Sequence, residues 1–313
     1  MSTALLGAGV FGVVVFVGFT TPAVSEPEAP PTTVQGSPSA PAGNRPVMRP
    51  DELSDAAIAA VAGATATTPD LILGAAVLDR KTNGVSVNPA ATVPIFAASL
   101  AKVLVAVDVL SRRHSGLAVS DRDVMLIGQA LGPSDDEAMN MLWTRFDGFG
   151  AVERVAQQLG LAQTQPPANP SRWGETLTSA HDTVVLYRHV LDTMAPEDRD
   201  LIMGSIATAP PIASDGFDQT FGLLAAGTSS DTAAKQAWMC CQGGRIMLHS
   251  AGTVDQARRF IVVLLSTQPR DAGYDGATAT LTAAADAARA ALLNNQLTAA
   301  SPRRPCCWAS ARN

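Results

Sequence analysis

The sequence predicts a mixed α/β (α+β) fold, in which one antiparallel sheet is assembled from both chain ends and a helical half is inserted between them. Three observations carry that expectation. Strand-like runs lie at 71–79 and 85–87 toward one end, and at 234–240, 245–249 and 260–266 toward the other. Helical patterns fill the interval at 99–113, 137–145, 150–159 and 180–194. The chain has 313 residues and is 47% hydrophobic, enough for one large domain with a real core.

The elements follow in order. Asp51-Glu52-Leu53-Ser54 opens an Ala-rich amphipathic helix. The run 71–79 alternates apolar and small residues, as a strand does. Lys81-Thr82-Asn83-Gly84 then reads as a hairpin turn, with Asn-Gly favouring type I′ geometry. The central helices follow, then three strands, then an Ala-rich helix at 276–293.

The termini differ in composition from this body. Residues 4–19 form an apolar run of about 16 residues, short of the roughly 20 that span a bilayer. Ala23-Val24-Ser25 suits signal cleavage, although the first positive charge is Arg45. We therefore expect 1–25 to be a signal peptide or membrane anchor. Residues 26–50, rich in Pro, Ala, Ser and Thr, read as a linker, 51–293 as the folded body and 294–313 as a disordered tail. No cysteine ends the apolar run, so lipid attachment is not expected there. Gly7, Gly9 and Gly12 spell G-x-G-x-x-G, but a Pro-rich segment follows in place of a βαβ unit.

Composition excludes several functions. A net charge of −6 argues against a nucleic-acid partner. His114, His181, His189 and His249 show no zinc spacing, and no metal or cofactor is expected. The cysteines form two adjacent pairs, Cys240-Cys241 and Cys306-Cys307, without C-x-x-C spacing. Neighbouring cysteines rarely bond to each other; a bridge between the pairs and four free thiols both stay open.

The chain contains three lysines, Lys81, Lys102 and Lys235, which makes each one informative. Ser99 and Lys102 are three apart at the start of an apolar helical run, so their side chains share a face. A serine hydroxyl becomes a good nucleophile when a base takes its proton. Lysine can be that base if burial lowers its pKa. A capping serine followed by a surface lysine would give the same spacing. Ser134-Asp135-Asp136 precedes the helix at 137–145, where it could also serve as a cap. Lys235-Gln236-Ala237-Trp238 lies on a strand about a hundred positions further on.

In this order and spacing the motifs resemble S-x-x-K, S-D-N and K-T-G of the class A β-lactamases and penicillin-binding D,D-peptidases. The resemblance covers roughly residues 51–293 and implies the serine β-lactamase/D,D-peptidase fold. It also looks similar to exported actinobacterial members with Lys-Gln-Gly-Trp as the third motif. It implies acylation at Ser99, with Lys102 as base or proton relay. Ser134 would pass a proton to the leaving group, and Lys235 would draw in a substrate carboxylate. The backbone N–H groups of Ser99 and Trp238 would form the oxyanion hole. Asp136, Gln236 and Ala237 would line the substrate site, with the Ala237 methyl narrowing the cleft.

Three departures from the family pattern bear on function. Asp136 stands in place of an asparagine, Gln236-Ala237 in place of Thr-Gly, and Gly174 where the deacylating acid belongs in Arg172-Trp173-Gly174-Glu175. Glu175 could serve only by a different backbone path. Trp143 and Trp173 read as packing residues. The expected function is a monomeric, exported serine hydrolase of peptidoglycan-like amides or esters, in the cell wall or periplasm or anchored to the membrane by its N-terminal segment. Poor or absent β-lactam turnover is expected. The alternative is a catalytically inactive protein of the same fold acting as a cell-wall binding module.

Overall fold

A computed structural model describes residues 52–225, 232–255 and 257–299, with side chains to residue 293. The apolar run at 4–19, the linker and the tail beyond 299 lie outside the described residues. In order, the elements are α1 (Glu52–Thr65), β1 (Ile72–Asp79), β2 (Gly84–Val87), β3 (Ile95–Phe96), α2 (Ala101–Arg113), α3 (Asp121–Leu131), α4 (Asp136–Arg145) and α5 (Gly148–Leu159). They continue with β4 (Leu177–Thr178), α6 (Ala180–Asp192), α7 (Pro196–Ala207), β5 (Ala233–Gln242), β6 (Arg245–Val254), β7 (Phe260–Pro269) and α8 (Gly273–Ala299).

Five strands form one antiparallel sheet in the order β2-β1-β7-β6-β5. The first two come from one end of the body and the last three from the other, as the sequence predicts. The strand period of two sends alternate side chains into separate apolar layers. On β1 and β7, Ala76, Leu78, Ile261, Val263 and Leu265 face the helical half, while Ala75, Val77, Phe260, Val262 and Leu264 face α1 and α8. Helix α2 is buried along Ala101 to Leu110, and that stretch is apolar on every face apart from Lys102 and Asp108. Its interior Asp108 is neutralised by Arg154 of α5, whose Nε and Nη2 each lie 2.9 Å from a carboxylate oxygen.

Three local expectations are corrected. The β1–β2 connection spans 80–83, and Gly84 is already a strand residue opposite Asp79. Asn83 alone in that connection carries a positive φ, +58°, so the turn is not type I′. Asp79 shapes it instead, accepting the Lys81 N–H at 2.9 Å while bonded to Arg259. Two helices also went unforeseen. A capping box between Ser120 and Asp123 starts α3, and Pro196 sits in the first turn of α7.

A second, two-stranded sheet pairs β3, which lies just before Ser99 in the chain, with β4. Buried His249 of β6 fastens it to the main sheet. Its Nδ1 accepts the Ser266 N–H at 3.2 Å, so Nε2 carries the proton and donates to the Phe96 carbonyl at 2.8 Å. Burial pushes this imidazole from 6.5 down to about 4. The unfolded chain therefore binds the proton first. The contribution is intact above pH 6.5 and is lost as pH falls toward 4, about 3 kcal/mol in all. Denaturant titrations at about pH 7.5 and about pH 4.5 should show this loss in the wild type and a flatter dependence in His249→Gln. Equal slopes in the two proteins would show that His249 is not the group responsible.

Candidate active site

Ser99 lies in a single 3-10 turn, Ala98–Leu100, that runs directly into α2. Lys102 is therefore in the first turn of α2, beneath Ser99. Ser134 sits in the loop between α3 and α4, with φ +58°. Its neighbour Asp135 caps α4 by accepting the Ala138 N–H at 2.9 Å, so this motif both caps a helix and supplies the site. Lys235 comes from β5, the edge strand of the large sheet.

These four side chains converge. Lys102 Nζ donates to Ser99 Oγ at 3.1 Å, to Ser134 Oγ at 3.2 Å and to the Ser134 carbonyl at 2.7 Å. Ser134 Oγ donates to Ser99 Oγ at 3.0 Å. Lys235 Nζ donates to Ser134 Oγ and to the Gln236 carbonyl, each at 2.8 Å. All four residues are buried.

Burial pushes the Lys102 ammonium below its ordinary range, and the Asp136 carboxylate opposes that shift. Asp136 Oδ1 lies 2.6 Å from Lys102 Nζ. Lys235 is pushed lower still, first by burial and then by the neighbouring charge of Lys102. A buried lysine with a lowered pKa, hydrogen-bonded to a serine, can accept that serine's proton.

A cleft of about 440 Å³ opens over Ser99, and Asp136, Trp173, Gly174, Glu175 and Trp238 are among its walls. Two expected substrate contacts are absent from it. Gln236 is fully buried, and its amide donates to the Gln219 carbonyl at 3.2 Å and to the Phe221 carbonyl. Ala237 packs its methyl into the apolar layer that holds α2, so it does not narrow the cleft. Residue 236 contributes to the site through its carbonyl, not its side chain. Glu175 does line the cleft, but its Oε1 is held by Gln242 Nε2 at 3.0 Å and by Arg172 at 2.9 Å. Glu175 has no hydrogen bond to Ser99 or Lys102. Gly174 occupies the neighbouring wall position, where a Cβ would sit 3.9 Å from Ala98 Cα.

Among the walls of the cleft, Asp215, Met239 and Tyr274 were not singled out from sequence. Trp173 holds its ring 5.0 Å from Lys102 Nζ and donates Nε1–H to Asn140 at 2.8 Å, which corrects its reading as packing alone. Trp143 donates to the Pro170 carbonyl at 2.8 Å. Asp215 accepts the Trp238 indole N–H at 2.9 Å, and Phe217 stacks on Trp238 at 4.5 Å. Only a structure joins these positions, which lie about twenty apart in the chain. Cys306 and Cys307 lie outside the described residues, and Cys240 and Cys241 lie side by side on β5. They occupy the irregular register of β5 between Met239 and Gln242.

No family model matches the sequence. Over 255 residues the chain is 36% identical to the candidate lipoprotein LppW of Mycobacterium tuberculosis, covering 80% of this chain and 77% of the relative. The Mycobacterium bovis protein of that name matches equally. Among solved structures, a β-lactamase from Chitinophaga pinensis matches with a TM-score of 0.62 at 13% identity, covering 75% of this chain and 98% of its own. PBP-A matches with a TM-score of 0.61 at 16% identity, covering 80% and 99%.

Proposed function

The chain belongs to the family of LppW and has the serine β-lactamase and penicillin-binding-protein fold, and from that premise we propose a serine hydrolase acylated at Ser99. One observation carries the reading: Lys102 Nζ and Ser134 Oγ both lie within hydrogen-bond distance of Ser99 Oγ. Neutral Lys102 takes the Ser99 proton as Oγ attacks a carbonyl carbon. Ser134, steadied by Lys235, then passes its proton to the departing nitrogen or oxygen as the bond to the carbonyl breaks, and regains one from the protonated Lys102, 3.2 Å away. The backbone N–H groups of Ser99 and Trp238 receive the oxyanion. For Trp238 this is supported by the edge position of β5 and by Gln236, two residues earlier, whose carbonyl serves the site.

The substrates proposed are peptidoglycan-like amides or esters, with slow release of the acyl group. Slow release rests on Glu175, which Arg172 and Gln242 hold. The Asp136–Lys102 ion pair favours the second reading, a silent binding module, because it stabilises the charged form of the base. For location we propose export, with 51–293 as the catalytic body tethered through 26–50. The apolar run 4–19 and the lipoprotein name of the relatives support this. With no cysteine among residues 1–50, the apolar run itself would be the tether.

A fluorescent penicillin and a fluorophosphonate, applied to the folded protein and to Ser99→Ala, test the reading. Labelling of the wild type by either probe, absent in Ser99→Ala, is expected. Penicillin label that persists for hours identifies an acyl-enzyme without turnover. No label from either probe on folded protein overturns the proposal in favour of the silent module.

A further inference from the structure

The charges a ligand meets in the cleft differ from those beneath it. Both lysines of the floor are buried: Lys102 Nζ is bonded to Ser99, Ser134 and Asp136, and Lys235 Nζ to Ser134 and the Gln236 carbonyl. Among the residues that line the cleft the one cation is Arg172, and it is paired with Glu175. The carboxylates, by contrast, face outward. Asp136 keeps 57% of its side chain exposed, and Asp215 is exposed with one oxygen on the Trp238 indole.

The walls have a matching chemistry. Trp173, Trp238 and Tyr274 line the cleft. Two of these rings already lie near lysine nitrogens: Lys102 Nζ is 5.0 Å from the centre of the Trp173 ring and Lys235 Nζ 5.8 Å from that of Trp238. Aromatic faces attract cations through the ring quadrupole. Carboxylates set among such low-dielectric walls concentrate a negative potential at the opening. At the exposed wall of the cleft a substrate carboxylate would meet Asp215 and the outward oxygen of Asp136, while the lysines lie buried beneath.

We propose that this cleft selects cationic substrates, esters or amides carrying an ammonium group, with Asp215 and Asp136 as the selecting charges and the aromatic walls as the platform. The chemistry at Ser99 rests on the acylation reading above. The charge preference is a property of binding and can be measured apart from it. Lys235 then serves to hold Ser134 and not to attract a substrate carboxylate.

The test uses Ser99→Ala, so that no covalent step contributes. Benzyltrimethylammonium, benzyl alcohol and benzoate are titrated at low ionic strength, with quenching of tryptophan fluorescence as the readout. The ammonium should bind about tenfold more tightly than benzoate, with the alcohol between them. Adding Asp215→Asn should weaken the ammonium several-fold and narrow that gap. Benzoate binding as tightly as the ammonium, an ammonium affinity indifferent to Asp215→Asn, or no binding by any of the three overturns the proposal. Failure of penicillin and fluorophosphonate to label Ser99 would overturn the acylation reading and leave this binding order standing.

Discussion

Asp136→Asn should acylate Ser99 several-fold faster at neutral pH, because losing the carboxylate lets burial push Lys102 further down and raises the share of neutral lysine. The sign follows from the two effects on Lys102. Burial lowers its pKa, while Asp136, 2.6 Å away, raises it. A base must be neutral to take the Ser99 proton, so labelling speeds up as pH rises through the Lys102 pKa. An amide at 136 removes the opposing charge and moves that rising limb to lower pH. The side chain is mostly exposed, so water can solvate the new amide, and its oxygen can still accept from Lys102. Probe labelling rates measured across neutral to alkaline pH check this. A limb that stays in place would show that Lys102 is not the group that takes the proton.

Gly174→Glu should shorten the life of the acyl-enzyme by about a hundredfold or more, the range in which a positioned general base acts. Release of an acyl-serine needs a group that activates water beside the ester. Glu175 is turned toward Arg172 and Gln242 and does not contact Ser99. A side chain at 174 starts in the cleft wall, its Cβ 3.9 Å from Ala98 Cα and 3.7 Å from Met239 Sδ, both ordinary contacts. The backbone there is not left-handed, so a glutamate fits without strain. Chasing a penicillin label from the wild type and the variant measures the difference. Equal lifetimes would mean that position 174 does not face the ester.

What was legible in the sequence was local. Ser99 and Lys102 share a helix face because helical spacing requires it, and three lysines in the chain made Lys235 conspicuous. The strands at both ends were visible because period-two patterns survive without any partner. What was hidden depends on partners distant in the chain. Whether Gln236 and Ala237 reach the cleft is set by the register of β5 on β6 and by the carbonyls of Gln219 and Phe221. The fate of Glu175 is decided by Gln242, and the place of Asp215 by Trp238. Helix α7 hides for another reason. Its buried apolar residues are only Ile202, Met203 and Ile206, and its buried Asp198 is acceptable because Arg113 and His114 pair with it.

Two residues at the heart of the site, Ala98 and Ser134, hold left-handed backbone, with φ of +47° and +58°. Such conformations cost non-glycine residues on the order of 1–3 kcal/mol each, and the surrounding structure must offset that. At Ala98 a glycine would relieve the strain and would loosen the backbone that carries Ser99, so the cost is what a rigid placement of the Ser99 side chain requires.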